Sequence, residues 1–193
     1  MPTISFTDAA FRHRLTHGGD RGQMLAKALG LTKGRTPELV DATAGLGRDG
    51  FLLAHLGAKV TLIERAAPIH AALQHALDDA RQAEPLLSEP ASRITLLAGD
   101  ARDLLPALIP NTVYIDPMHP ARVKSALVKQ PMRDLRAIVG EDPDASQLIL
   151  CALESAQKRV AVKWPRLAPL PDDLPKPSYE LVGKTTRYVI FVR

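Results

Sequence analysis

The segment VDATAGLGRDGF, residues 40–51, leads from an apolar, β-rich run into a helical pattern. It contains a G-x-G-x-x-G sequence, formed by Gly45, Gly47 and Gly50. Glycines in a turn between a strand and a helix let the backbone come close to a bound nucleotide. The segment therefore indicates a strand–turn–helix unit. Taken alone, it fits a dinucleotide site, a site for a different nucleotide cofactor, or only a tight turn.

Short β-rich runs and helical patterns alternate on the C-terminal side of this segment, and two further runs close the chain. The predicted strands are ELVDAT (38–43), KVTLIE (59–64), RITLLAGD (93–100), TVYID (112–116), RVAVKW (159–164), YELVG (179–183) and TTRYVIFV (185–192). The predicted helices between them are RDGFLLAHLG (48–57), PIHAALQHALDDARQA (68–83) and SQLILCALESAQ (146–157). Strands separated by helices require a parallel sheet. The prediction is a doubly wound α/β fold with a mostly parallel seven-stranded sheet and an antiparallel C-terminal strand pair.

The bulk composition is that of an ordinary globular protein. The 193 residues are 46% hydrophobic and 24% charged, and the net charge is +4, which permits a nucleic-acid partner without requiring one. Cys151 is the single cysteine, which excludes an internal disulfide and a cysteine-based zinc site. No apolar run approaches the ~18 residues that cross a bilayer, and the N-terminus lacks the apolar stretch of a signal peptide. We expect no membrane partner and a cytoplasmic location.

Four acidic residues stand at or just beyond the ends of consecutive predicted strands: Asp41, Glu64, Asp100 and Asp116. In open α/β sheets, ligands bind at the carboxyl ends of the strands. One acidic residue there is commonplace, but four would line one edge of the sheet. They indicate a binding site, and the alternative is that each carboxylate only caps its strand.

The spacing of the glycines and acids allows two kinds of cofactor. Glu64 lies 19 residues after Gly45, about where an NAD site places its ribose-binding acid. However, Asp49 in the first helical turn would repel a pyrophosphate, and Asp41 suits a cationic group. S-adenosylmethionine (SAM) fits better. Asp41 can bind its ammonium, directly or through water, and Glu64 can accept hydrogen bonds from its ribose hydroxyls. Asp100 can accept hydrogen bonds from its adenine amine.

The fourth strand ends in DPMHP, residues 116–120. This stretch is similar to the (D/N)-P-P-(Y/F) signature of methyltransferases that act on the amino groups of nucleobases. The lone pair of such an amine is delocalised into the ring. The Asp116 carboxylate and the Pro117 carbonyl can hold both N–H bonds and turn the lone pair toward the methyl group. His119 stands where a ring stacks on the base. Read alone, the stretch is a turn.

Six segments in order carry a family resemblance: HRLTHGGDRGQ (13–23), VDATAGLGRDGF (40–51), LIER (62–65), VYIDPMHP (113–120), KSALVKQPMR (124–133) and VAVKWP (160–165). Together they closely resemble the bacterial small-subunit ribosomal RNA (guanine-N2)-methyltransferase J family, from about His13 to Lys163. The resemblance implies a class I, Rossmann-like methyltransferase that methylates N2 of one guanine in 16S rRNA. It implies SAM as cofactor, S-adenosylhomocysteine as product, and 16S rRNA or the small ribosomal subunit as partner. The six histidines show no metal-ligand spacing, and an in-line methyl transfer needs no metal. We therefore expect no metal and no obligate protein partner.

The resemblance also assigns residues. The family's cofactor positions correspond to Arg48, Asp49, Glu64, Arg65, Asp100, Ala101 and Asp116, beside Asp41, Gly45 and Gly47 from the glycine segment. Asp116 and Pro117 are the predicted catalytic residues, and His119, Lys124 and Lys163 are predicted to bind substrate. The chain departs from the family pattern at His119, which replaces a phenylalanine, and at Asp100-Ala101, which replaces a pair of serines.

Several alternatives stay open at this point. Lys124, Lys129 and Arg133 either contact RNA phosphates or belong to a solvated loop. The N-terminal segment with Arg12, His13, Arg14 and Arg21 either folds over the cofactor or RNA or forms a flexible basic terminus. We divide the chain into an N-terminal basic, glycine-rich segment with a helix (1–36) and a SAM-dependent methyltransferase domain (37–193). The rival functions are an NAD(P)-dependent oxidoreductase and a non-catalytic, cofactor-binding factor associated with RNA.

Overall fold

The computed structural model describes residues 3–18, 23–31, 37–117 and 144–193. Its helices are α1 (Ala9–Gly18), α2 (Met24–Ala28), α3 (Arg48–His55), α4 (Ala67–Arg81), α5 (Pro85–Ser92), α6 (Ala101–Leu108) and α7 (Ala145–Ser155). Its strands are β1 (Glu38–Asp41), β2 (Lys59–Glu64), β3 (Ile94–Ala98), β4 (Thr112–Ile115), β5 (Arg159–Pro165), β6 (Tyr179–Val182) and β7 (Thr186–Val192). No helix in these ranges is long and apolar enough to span a bilayer.

All seven strands form one sheet in the order β3-β2-β1-β4-β5-β7-β6. Strands β1 to β5 run parallel, with Asp41 of β1 beside Leu62 of β2 and Tyr114 of β4. Strand β7 pairs antiparallel with β5 on one side and with β6 on the other. The predicted doubly wound fold with an antiparallel C-terminal pair is confirmed. Because β1 lies between β2 and β4, the ends of these three strands meet at one edge.

Two apolar layers cover the two faces of the sheet. Strand residues alternate between them: Leu39 and Leu62 face one layer, whereas Val40 and Ile63 face the other. The first layer contains buried residues from α1 to α5, and the second contains those from α6 and α7. This alternation follows from the two-residue period of a strand that is buried on both faces. The layers hold the strand ends at fixed positions.

Among the helices that follow β1, α5 and α6 are absent from the predicted pattern, and each contains an internal proline. Pro90 lies in α5 and Pro106 in α6, and proline cannot donate the i→i−4 hydrogen bond of a helix. In α6 the carbonyl that Pro106 leaves without this donor belongs to Arg102. The thiol of Cys151 in α7 donates to that carbonyl at 3.4 Å. Tertiary contacts therefore stabilise a helix that its own sequence disfavours.

The N-terminal residues pack into the first apolar layer. Phe6, Phe11 and Leu15 are buried in it, and the Phe6 ring stacks on the ring of Phe51 in α3 with a centroid distance of 4.3 Å. Burial of three large side chains fixes α1 against the strand–helix unit that contains the glycines. The division of the chain at residue 36 stays a prediction, and residues 32–36 lie outside the described part.

Candidate functional site

One cavity opens at the carboxyl ends of the central strands. Asp41 ends β1, Glu64 ends β2, Asp116 follows β4, and Asp100 is the N-cap of α6. All four residues line this cavity. The fold thus brings together carboxylates that are up to 75 positions apart in the sequence. Carboxylates gathered at one end of a parallel sheet form a site for cationic groups and hydroxyls.

Most of the predicted site residues lie at this cavity. Its lining includes Asp41, Gly45, Arg48, Asp49, Glu64, Arg65, Asp100, Ala101, Asp116 and Lys163. Gly47 and Pro117 are described residues that do not line it. Four further predicted or weighed positions lie outside the described residues: His119, Lys124, Lys129 and Arg133.

The glycine turn is held in place by Glu64. Gly45 and Gly47 adopt the left-handed conformation, with φ of 52° and 70°, which is costly for residues with a Cβ atom. The backbone N–H of Gly45 donates to one carboxylate oxygen of Glu64 at 2.9 Å, and that of Ala66 donates to the other at 2.8 Å. Glu64 therefore links the turn after β1 to the end of β2. Its remaining acceptor positions can serve a ligand.

Asp41 is the most buried carboxylate of the cavity, with a relative exposure of 2%. It accepts a hydrogen bond from the Thr43 N–H at 3.1 Å. Burial, with smaller contributions from Asp49 and Asp116, raises the pKa of Asp41 to about 8. The Thr43 hydroxyl in turn accepts from the backbone N–H of Asp116 at 2.7 Å. Thr43 thereby connects the ends of β1 and β4.

Lys163 lies between two aspartates. Its ammonium is 2.6 Å from Asp116 Oδ2 and 3.2 Å from Asp49 Oδ2. The hydroxyl of Tyr114 donates to Asp49 Oδ2 at 3.0 Å, and Arg14 of α1 donates to Asp49 Oδ1 at 3.0 Å. Asp49 thus has three donors, whereas within the described ranges only Lys163 donates to the Asp116 side chain, at Oδ2. We call Asp49, Asp116 and Lys163 the lysine cluster.

The donors set different pKa values within the lysine cluster. Burial raises the pKa of Asp116 to about 6, although Lys163 acts in the opposite direction. Burial would also raise the pKa of Asp49, but Lys163, Arg14 and the Tyr114 hydroxyl together lower it below its usual value. Burial disfavours the charged form of Lys163, and the two aspartates nevertheless raise its pKa. Near neutral pH the cluster contains one ammonium and two carboxylates, with Asp116 the easier one to protonate.

A second ionic group lies at the start of α6. Both carboxylate oxygens of Asp100 accept from the guanidinium of Arg102, at 3.0 and 2.7 Å, and this hydrogen bonding lowers the pKa of Asp100. Asp144, the N-cap of α7, forms ion pairs with Arg102 and with Arg65, both at 2.9 Å. Asp100 therefore stays ionised and oriented, with free lone pairs on its carboxylate oxygens.

The cations of the cavity are already neutralised. Among the described residues, each arginine or lysine that lines it forms an ion pair of 2.6 to 3.1 Å: Arg14–Asp49, Arg48–Asp8, Arg65–Asp144, Arg102–Asp100 and Lys163–Asp116. A pyrophosphate would have to compete with these carboxylates for its donors. A ligand with an ammonium, a sulfonium and hydroxyls meets carboxylates without losing any of the pairs. The donor set therefore fits SAM better than a dinucleotide.

Comparison with known proteins points to one family. A family model described as a putative SAM-dependent methyltransferase matches residues 2–193. A Brucella anthropi protein named ribosomal RNA small subunit methyltransferase J is 55% identical over 190 residues, which cover 98% of this chain and 93% of that protein. The chain belongs to the methyltransferase J family. A protein of the same name from Agrobacterium fabrum is 54% identical, with 98% of this chain and 91% of that protein covered.

Solved structures agree with the methyltransferase J assignment. A crystal structure of a SAM-dependent methyltransferase from Neisseria gonorrhoeae is 36% identical and superposes with a TM-score of 0.75, covering 98% of this chain and 74% of that one. A putative methyltransferase from Escherichia coli, 16% identical with a TM-score of 0.53 and covering 100% of this chain and 89% of that one, shares the fold alone. The predicted family and enzyme class are confirmed, and the oxidoreductase alternative is not favoured.

In this methyltransferase J chain, sequence reasoning missed several residues of the cavity. Tyr114, Asp144 and Leu148 line it and were not assigned to it, and Arg14 was weighed only as one residue of a basic terminus. Tyr114 gave a usable signal, because a tyrosine inside an apolar strand needs a hydrogen-bond partner for its hydroxyl. Arg14 gave none, since its partner Asp49 is 35 positions away.

Proposed function

We propose that this chain transfers a methyl group from SAM to the N2 amine of a guanine in small-subunit ribosomal RNA. The observation that carries the proposal is the side chain of Asp116, which opens into the cavity beside Lys163 and directly precedes Pro117. The names of the 49–55% identical relatives support the RNA substrate. A ribosomal substrate also supports the cytoplasm as its location.

The cofactor portions are assigned by the chemistry of the lining. Asp41 and the glycine turn would hold the amino-acid end, Glu64 the ribose hydroxyls, and Asp100 the adenine amine. Ile63, Ala101 and Leu148 supply apolar surface for the adenine ring. When bound, SAM supplies a methyl group activated by a sulfonium charge. The residues of this chain orient the acceptor and control its protons.

Asp116 is proposed to orient the guanine amine. Lys163 occupies its Oδ2, so Oδ1 can accept one N–H of the amine while the Pro117 carbonyl accepts the other. Both acceptors rotate the nitrogen lone pair toward the methyl donor. Holding two reacting atoms in line can supply roughly 7–11 kcal/mol of the barrier. Asp116 then stabilises the positive charge that develops on the nitrogen before its surplus proton leaves.

Lys163 and Asp49 are proposed to position Asp116 rather than to react. The ammonium fixes one carboxylate oxygen and favours the ionised form of Asp116. Asp49 in turn holds the ammonium and is itself fixed by Tyr114 and Arg14. This chain of contacts connects α1, α3, β4 and β5 to one carboxylate. Such fixed partners reduce the reorganisation that the site needs during the reaction.

The proposal is tested with small ribosomal subunits from a bacterial strain that lacks the activity. Purified protein and isotopically labelled SAM should introduce one methyl group, which mass mapping should locate on a guanine and nuclease digestion should identify as N2-methylguanine. Titration calorimetry should show binding of S-adenosylhomocysteine and not of NADH. Cofactor binding without methyl incorporation would support the non-catalytic alternative and reject our proposal.

A further inference from the structure

Leu167 is the most exposed large apolar side chain in the described part of the molecule, at 82%. It lies four residues after Lys163, just beyond the end of β5. Four residues span at most about 14 Å, so Leu167 lies within that distance of Lys163, which lines the cavity. An exposed leucine does not contribute the stabilisation that its burial would give. A single exposed leucine is ordinary on a protein surface, so the inference depends on the fixed turn that carries Leu167 and on the two cations beside it.

The backbone around Leu167 is fixed, so the exposure does not result from a loose loop. Four hydrogen bonds hold this turn: Arg166 N to Thr185 O at 3.1 Å, Ala168 N to Pro165 O at 3.3 Å, Arg187 Nη2 to Ala168 O at 2.9 Å, and Trp164 Nε1 to Pro169 O at 3.0 Å. Ala168 and Leu170 on the same turn pack against the second apolar layer. The Leu167 side chain, by contrast, is exposed to solvent.

Two cations flank this leucine. Arg166 precedes it, and Lys184 lies in the β6–β7 turn, next to the Thr185 carbonyl that binds the Arg166 backbone. Both side chains are exposed, and neither forms an ion pair with any described residue. This distinguishes them from the cations of the cavity, all of which have carboxylate partners. The two carboxylates of the same loop, Asp172 and Asp173, lie further along it, and Asp173 accepts a hydrogen bond from Ser146.

We propose that Arg166, Leu167 and Lys184, here called the β5 rim, bind the ribosomal RNA strand on either side of the target guanine. This inference rests on the proposed function and extends it to the RNA. Arg166 and Lys184 contact phosphates. Leu167 packs against the bases that the guanine leaves when it turns into the cavity, because an inserted apolar side chain can replace a stacking partner.

The charge part of the proposal is tested by the double variant Arg166→Ala/Lys184→Ala. Its matched control is Lys27→Ala/Lys158→Ala, two exposed lysines of which Lys27 lies in α2 and Lys158 directly precedes β5, at the end of that strand opposite to Arg166. Binding of 16S rRNA from a strain lacking the activity is measured at several salt concentrations. Loss of two phosphate contacts on a single strand should reduce the salt slope by about 1.4 and the affinity roughly tenfold. The control variant and the calorimetric affinity for S-adenosylhomocysteine should not change.

The apolar part is tested by Leu167→Ala, with Leu108→Ala on α6 as the control. Leu167→Ala should lower kcat/KM on small subunits roughly tenfold while thermal stability stays that of wild type. A second measurement uses RNA with 2-aminopurine in place of the target guanine. The fluorescence of 2-aminopurine should rise when wild-type protein binds and rise less when Leu167→Ala binds. 2-Aminopurine keeps the 2-amino group of guanine, and its fluorescence increases when it no longer stacks on neighbouring bases.

The outcomes separate this proposal from the function on which it rests. If the wild-type protein methylates the RNA and the rim variants bind RNA and turn over equally well, the proposed role of the β5 rim is wrong and the proposed function stands. RNA binding that depends on the rim without any methyl transfer would overturn the function and retain the rim. Equal losses in the rim and control variants would also overturn the rim, because the effect would then come from net charge alone.

Discussion

Three aspartates in the cavity hold their protons differently although they lie close together. Asp41 has a pKa of about 8, Asp116 a pKa of about 6, and Asp49 a pKa below its usual value. Burial acts on all three, and the difference comes from their donors: Asp49 has three, Asp116 has Lys163, and Asp41 has one backbone N–H. At neutral pH the negative charge therefore resides on Asp49 and Asp116.

Replacing Asp116 tests whether orientation or charge dominates. Asp116→Ala should lower single-turnover methyl transfer by a factor of 10²–10³, about 2.7–4 kcal/mol of transition-state stabilisation. Asp116→Asn keeps an acceptor oxygen and should retain more activity than Asp116→Ala if orientation dominates. The rates are measured with saturating SAM and RNA. Near-wild-type turnover in Asp116→Ala would remove this residue from the catalytic centre.

The pH dependence of the rate should follow the ionisation of Asp116. Because the ionised carboxylate is the stronger acceptor and has the negative charge that stabilises the developing positive nitrogen, kcat/KM should rise with pH through about 6 in the wild type. Lys163 lowers the pKa of Asp116, so Lys163→Met should move this limb to higher pH, by about 1 pH unit or more. Lys158→Met, at the other end of β5, should leave the profile unchanged. A Lys163→Met variant with lower rates and an unmoved limb would show that Lys163 does not act through Asp116.

Asp41 should make stability depend on pH. Its native pKa lies above its unfolded value of 3.8, so the native state holds a proton that the unfolded state has lost between about pH 4 and 8. In this range rising pH therefore removes stability. Asp41→Asn has no proton to lose, and its melting temperature relative to wild type should be higher at pH 8 than at pH 5. If the melting temperatures of Asp41→Asn and wild type differ by the same amount at pH 5 and pH 8, Asp41 is ionised in the native state throughout this range.

Helix α3 depends on a glycine for its contact with the sheet. A Cβ atom at Gly50 would overlap with the Leu62 side chain of β2 and lie 3.4 Å from Asp41 Oδ2. Gly50→Ala improves helix propensity by about 1 kcal/mol, but overpacking typically costs 1–3 kcal/mol. We expect a net loss of stability and weaker binding of S-adenosylhomocysteine, measured by urea unfolding and calorimetry. A stabilised Gly50→Ala protein would show that the helix can move away from the strand.

Local sequence determines some elements and not others. Strands β1 to β5 and helices α3, α4 and α7 could be predicted because apolar periodicity and turn residues agree, as at Pro68 in the first turn of α4. Helices α5 and α6 could not be predicted, because Pro90 and Pro106 lower the helix propensity of these segments. Tertiary contacts, such as the hydrogen bond from Cys151 to the Arg102 carbonyl, stabilise the helices nevertheless. In the cavity, the acids at strand ends could be predicted, since a parallel sheet brings those ends together. The pairing of Arg14 with Asp49 depends on how α1 packs, which no local pattern encodes.

The N-terminal helix and the sheet share one apolar layer, and we therefore expect them to unfold together. Phe11→Ala should lower the free energy of unfolding by about 3–5 kcal/mol without splitting the transition. Arg12→Ala is the control, because it breaks only an exposed pair with Glu84 and should cost less than about 1 kcal/mol. Fluorescence of Trp164 and far-ultraviolet circular dichroism are followed in urea. Two separate transitions would show that residues before 37 form an independent unit.

The position of β7 between β5 and β6 has a consequence for how the protein is made. Strand β7 is the last strand in chain order, yet it covers the open edge of β5 and places Tyr188 in the first apolar layer. While a ribosome is still synthesising these residues, β5 presents an unpaired edge to other chains. The emerging polypeptide therefore cannot complete its sheet before β7 has left the ribosome. A chain stalled before Thr186 should be sensitive to proteases and prone to self-association, and chaperones should bind it until the remaining residues are added.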